Sequence, residues 1–139
     1  MSSNMPIKKK NLGTQAEALL YFFCRLDIDM VNELLDAERT YADLPKARFI
    51  EKLGVAFNKF IYAGDELLSF EAGFCSSLDC DNCGCLGYTF VGNVSGHFLD
   101  LVVIEEEGKI IDIFDCTFLQ VEGSSRDRSL RIEIDPVFT

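Results

Sequence analysis

Four cysteines, Cys75, Cys80, Cys83 and Cys85, fall within one short stretch of this chain. Cys80-Asp81-Asn82-Cys83-Gly84 has the form of a zinc knuckle. The two-residue gap turns two thiolates toward one ion, and the glycine admits the tight turn that N–H···S bonds require. A zinc ribbon carries two such knuckles, and this chain carries one. Cys75 closes one expected strand and Cys85 opens the next, so four soft ligands can enclose an ion with no open position. Such a site is structural rather than catalytic. Zinc is the expected occupant; a disulfide between Cys75 and Cys85, or free thiols, are the alternatives. Thioredoxin-like chemistry at Cys80 and Cys83 would need a helix N-terminus to lower the thiol pKa. Cys116 belongs beside His97, at the far end of the strands from Cys85, and Cys24 reads as a buried helix residue.

A second chemistry is suggested by Asp100, Asp112 and Asp115, which interrupt strands made of Phe, Leu, Ile and Val. A two-residue turn at Glu107-Gly108 sets Asp100 opposite Asp115. A three-residue turn sets it diagonal to Asp112 on the same face. Either way Asp100 gains a carboxylate neighbour in apolar surroundings. Desolvation and like charge would both raise one pKa, as general acid–base sites require. The competing reading is that these acids reach water or a backbone donor at a sharp bend. Tyr21 from the first helix, Tyr41 and the lone histidine, His97, are the groups that could join Asp100 in a pocket. His97 reads first as a hydrogen-bonded sheet residue and only second as a catalytic group. No phosphate loop, dinucleotide fingerprint or nucleophile elbow is present.

The elements that must position these groups are legible. Residues 1–13 are polar, lack hydrophobic period and are expected to be disordered. Thr14 and Glu17 form a capping pair ahead of Ala16, Leu19, Leu20 and Phe23, which follow helical spacing. Asp27 caps a second short helix carrying Ile28, Val31, Leu34 and Leu35. The longest helix is expected from Pro45 to Tyr62, with Ile50, Leu53, Phe57, Phe60 and Ile61 on the buried face. Arg48, Glu51, Lys52, Asn58 and Lys59 are expected in water. Strands are expected over Leu67–Cys75, Leu86–Asn93, His97–Glu105, Lys109–Phe118 and Leu130–Asp135. In the last, Leu130, Ile132 and Ile134 alternate with Arg131, Glu133 and Asp135, which predicts one wet face.

The chain has 139 residues, nearly half of them apolar, and a formal charge of −10. That length suits one domain, expected over residues 14–139. The negative charge argues against a nucleic-acid partner, and Lys8, Lys9 and Lys10 form too short a basic run for a binding arm. No stretch is long and apolar enough for a membrane span, and no secretory signal is visible, so a cytoplasmic location is expected. Asn93-Val94-Ser95 matches a glycosylation sequon but is read as a turn.

Helices followed by a strongly bent antiparallel sheet resemble the nuclear transport factor 2-like superfamily, which includes the SnoaL-like proteins. Leu26-Asp27-Ile28-Asp29, Leu34-Leu35-Asp36 and Thr40-Tyr41 look like that family's helix, Asp, short helix and first strand. Glu107-Gly108-Lys109-Ile110 looks like its acidic-Gly-Lys-Ile hairpin. The resemblance implies an α+β cone with a pocket at its mouth and dimerisation through the sheet, but not one chemistry. The apolar residues on both faces of the strands at His97–Glu105 and Lys109–Phe118 also point to a homodimer. Two functions are therefore expected. One is a homodimeric module that binds a small hydrophobic ligand or serves a structural role, with a zinc loop. The other is a cofactor-free isomerase, hydrolase or dehydratase using Asp100 for proton transfer.

Overall fold

The structure, a computed structural model, describes residues 14–75, 86–116, 119–120 and 128–134. The expected tail and the loop bearing Cys80, Cys83 and Cys85 lie outside the described residues. The first helix, α1 (Gln15–Cys24), opens at Thr14, whose hydroxyl oxygen accepts the Glu17 N–H at 3.3 Å. Asp27 Oδ1 accepts the Met30 N–H at 3.2 Å and opens α2 (Ile28–Leu34). Both caps satisfy donors that a helix start leaves unpaired. A tight hairpin follows, β1 (Thr40–Tyr41) and β2 (Leu44–Pro45), turning through Ala42 and Asp43 at φ 54° and 63°. Two positive φ values are what a two-residue turn needs to match strand twist.

The longest helix, α3 (Lys46–Tyr62), buries Phe49, Leu53, Ala56, Phe57 and Phe60, which recur at helical spacing. The stripe is rotated from the expected one. Ile61 is half exposed, whereas Lys52, expected in water, is buried. Lys52 stands at the stripe's edge between Phe49 and Leu53, where its aliphatic stem can pack.

The main sheet comprises β3 (Leu68–Cys75), β4 (Leu86–Gly92), β5 (Phe98–Glu106), β6 (Lys109–Asp115) and β7 (Leu119–Gln120). Its order is β6-β5-β4-β3-β7, antiparallel throughout. That order forces curvature. In a flat sheet β6 and β7 would stand four strand spacings apart, about 19 Å. The chain from Asp115 to Leu119 reaches only about 14 Å when fully extended. The sheet must therefore bend to let β7 pair with β3. The fold is α+β, with α1–α3 on one face of a bent antiparallel sheet.

Leu99, Leu101 and Val103 of β5 face the helices and join the main core. Phe98, Asp100 and Val102, pointing the other way, are also buried within the single chain. Val102 and Cys116 are the centre of a second, smaller apolar cluster flanked by Ile104 and Phe114. The far face expected to need a second subunit is thus closed along β5 by the chain itself.

The strand expected over Leu130–Asp135 is not formed among the described residues. A 3-10 turn (Arg128–Leu130) leads instead into one parallel bridge, Phe98 to Arg131. Ile132 N–H donates to the Phe98 carbonyl at 2.7 Å. The segment lies on the edge of β5 where β6 has ended.

Candidate functional site

The β5–β6 hairpin turns through Glu107 and Gly108 at φ 53° and 81°, the two-residue form of the two alternatives the sequence left open. That turn alone would set Asp100 opposite Asp115. The register then shifts between Ile104 and Glu105, so Ile111 is an extra residue on β6 and Asp115 stands opposite Leu101. One inserted residue moves every later pair by one, as a β-bulge does. Backbone pairing beyond the bulge gives Asp100 the neighbour Cys116, whose N–H donates to the Asp100 carbonyl at 3.1 Å.

What reunites the two acids is Arg131. Its side chain is 4% exposed, and its guanidinium contacts Asp115 Oδ1 and Glu133 Oε2 through separate nitrogens. Its Nε lies 3.9 Å from Oδ2 of the fully buried Asp100. Asp115 Oδ2 also accepts the Ile134 N–H at 3.0 Å. One carboxylate therefore holds both Arg131 and Ile134 against β6. Ile132 and Ile134 are buried and Glu133 is exposed, as the alternation predicted; the expected wet face is corrected at Arg131, whose side chain is buried. It sits in an ion cluster because a carboxylate taken from water needs a paired charge. Burial pushes Asp115 up from its ordinary value; Arg131 and the Ile134 N–H pull it back without cancelling the effect, and Glu133 adds to the rise.

The other candidate groups have separate anchors. Asp112 Oδ1 accepts the Ala42 N–H at 2.9 Å and the Ile113 N–H at 2.8 Å, which ties the β1–β2 turn to β6. Tyr41 is fully buried, and its hydroxyl oxygen accepts the Asp36 N–H at 2.9 Å. Burial raises the Tyr41 pKa most; the bond from Asp36 works against it. Tyr21 is exposed on α1 with the Arg25 guanidinium 5.4 Å from its ring centre. Because Asp100 points away from the helices, Tyr21 and Asp100 lie on opposite sides of the sheet.

His97 belongs to a third group, the turn between β4 and β5. Asp65 there accepts from Val94 N–H at 2.7 Å, Ser95 N–H at 2.8 Å and Ser95 Oγ at 2.6 Å. Its carboxylate occupies the space a side chain at position 92 would fill, so Gly92 is required there. Burial works to raise Asp65, but the Ser95 and Val94 bonds and the nearby His97 hold it below the ordinary carboxylate range. Asn93, of the sequon, accepts the N–H groups of Glu66 and Leu67, consistent with a turn. The structural roles of Asp65 and Arg131 were missed from sequence. The usable signal for Arg131 was the pair of acids in apolar strands, which demanded a cation from somewhere.

The proposed metal ligands Cys80, Cys83 and Cys85 lie outside the described residues. The described part does fix the base of their loop: Phe74 pairs with Leu86, so the chain leaves β3 and re-enters β4 side by side. Among the described residues no cluster of His, Cys, Asp and Glu could hold a metal, Cys24 is a free thiol, and no helix is long and apolar enough to cross a membrane. Burial raises the Cys24 pKa, which keeps that thiol protonated. In comparisons with known proteins, no family model, curated protein or solved structure matches the chain.

Proposed function

We propose that this chain is a non-catalytic module that binds a small, largely apolar ligand between its helices and its bent sheet. One observation carries the reading: the groups best able to move a proton are occupied by the fold. Asp112 holds two backbone N–H groups, Asp115 holds Ile134 and Arg131, and Tyr41 holds Asp36. Asp100 faces away from the helices beside a buried guanidinium. General acid–base catalysis needs such groups directed at a substrate. The order of helices, short hairpin, helix and antiparallel strands supports the resemblance to the nuclear transport factor 2-like superfamily and, with it, a cone open at one end.

A structural zinc ion held by Cys75, Cys80, Cys83 and Cys85 belongs to the same proposal. Its support is the knuckle spacing together with the closed base of the loop at Phe74 and Leu86. Homodimerisation is a further part, and a cytoplasmic setting suits the thiols the site requires.

The test is binding without turnover. The protein is incubated with a small-molecule extract, and bound compounds are recovered and compared with the input by mass spectrometry. Recovery of an unchanged compound at no more than one equivalent per chain is expected. Consumption of many equivalents, abolished by Asp100→Asn or Asp115→Asn in a folded protein, would establish the enzyme instead.

A further inference from the structure

The two sides of the main sheet are finished differently. On β6 the N–H groups of Ile110 and Ile113 point away from β5, and side chains take both. Gln15 Oε1 accepts the first at 2.9 Å and Asp112 Oδ1 the second at 2.8 Å. Groups occupied in this way cannot recruit another strand. On the other side, β7 covers β3 only at Phe74 and Cys75. Asn93 N–H donates to the Leu67 carbonyl at 3.1 Å, which makes these two a hydrogen-bonded pair. Alternation along the antiparallel ladder then turns the backbone of Ser69, Glu71 and Gly73 toward β4. The N–H and C=O groups of Phe70 and Ala72 face outward. Among the described residues none bonds to these outward groups.

The β3–β4 register runs unbroken from Leu68 to Phe74, so no bulge twists this edge away, and β3 contains no proline. Ser69, Phe70, Glu71 and Ala72 are all exposed, which leaves both faces beside the edge open. Phe70 is 42% exposed although it shares the helix-facing side with its cross-strand partner Phe90. Ser69 and Glu71 lie on the opposite face by alternation. Charge along the edge has one sign. Glu66 precedes β3, Glu71 lies within it, and neither β3 nor β4 contains a Lys or Arg.

We propose that the β3 edge from Leu68 to Ala72 binds an extended basic segment of another protein by strand addition. The incoming strand exchanges N–H···O bonds with Phe70 and Ala72. Its side chains alternate: apolar on the Phe70 face, Lys or Arg on the Glu71 face. A second copy of this chain is the poorer occupant, because it would bring two acidic edges together on chains that each carry a formal charge of −10. The surface is a strand edge rather than the space between helices and sheet, so it is tested separately from the small-ligand reading.

The probe is the end-blocked peptide Lys-Val-Lys-Leu-Lys-Val-Lys, titrated into isotope-labelled full-length protein at low salt. Amide exchange at Phe70 and Ala72 is expected to slow about tenfold at saturation, while Ser69 and Glu71, already bonded to β4, change little. Methylating the backbone nitrogen of the central leucine removes one bond to β3 and should weaken binding about tenfold. The peptide Glu-Val-Glu-Leu-Glu-Val-Glu should bind about tenfold more weakly, and Glu71→Lys should reverse that preference. Ala72→Pro removes an outward N–H without touching the β3–β4 ladder and should abolish binding. Equal binding of the acidic peptide to the parent protein overturns the charge assignment, and equal binding of the methylated peptide overturns strand addition. Protection of Phe70 and Ala72 in the free protein that fades on dilution gives the edge to a second copy and overturns the proposal. Protection at every dilution, or no binding of the basic peptide, overturns it as well.

Discussion

Arg131 Nε lies 3.9 Å from Asp100 Oδ2, and the two side chains are 4% and 0% exposed. Asp115 and Glu133 complete the cluster on the other guanidinium nitrogens. This contact joins the segment at residues 131–134 to β5, an inner strand of the sheet. It also accounts for two carboxylates in strands that are otherwise apolar.

Arg131→Met should therefore be strongly destabilising. Losing one member of a buried ion cluster leaves the remaining charge uncompensated, at a cost of about 3–5 kcal/mol. Denaturant unfolding measures it. The triple replacement Arg131→Met, Asp100→Leu, Asp115→Leu should recover part of the loss, because no buried charge then remains. A single variant as stable as the parent would show that the cluster does not hold the segment.

The two anchoring aspartates should respond to pH with opposite signs. Asp65 lies below its ordinary value near 3.8, so its stabilisation is present above that pH and is lost as pH falls through the folded value. Asp115 lies above its ordinary value, so its contribution is full in acid and is lost as pH rises through the raised value. Carboxyl-carbon NMR titration reads each residue directly. Asp65→Asn should abolish the acid-side loss, and an Asp115 titrating at or below 3.8 would contradict the burial-dominated account.

Purified protein should carry about one zinc per chain by elemental analysis, matching a single closed site. Cys83→Ser should lose the metal, whereas Cys24→Ser and Cys116→Ser should keep it. Removing the metal should loosen the loop without unfolding α1–α3, which are held by the main core they share with the sheet. Four titratable thiols on metal-free native protein would exclude the site, and a mass two protons low would indicate the disulfide.

Sedimentation at micromolar concentration should show twice the monomer mass if the dimer forms; a persistent monomer excludes it. Leu101 and Ile113 do not report on that interface, since both are fully buried in the main core. Leu101→Ala should instead cost about 2–5 kcal/mol through the cavity it leaves. Surface substitutions at Leu67 or Val94, both exposed, leave the core intact and are the better probes of association.

The local elements were determined by the sequence alone. Thr14 with Glu17, Asp27, and the Glu107-Gly108 turn act through contacts a few residues long, so their geometry is written into neighbouring positions. The apolar period of α3 was legible for the same reason, though the edge of its buried face was not: Lys52 and Ile61 sit where only the packed sheet decides which side is wet. The relation between Asp100 and Asp115 was beyond local reading. A single bulge near Ile104 changed the pairing, and side-chain direction has period two, so one residue suffices to alter the partner. Arg131 read as a solvent-facing residue in an alternating strand because alternation reports two faces but not what lies against either. Only the tertiary fold, by setting residues 131–134 on the exposed edge of β5, turned its charged face inward onto Asp100 and Asp115.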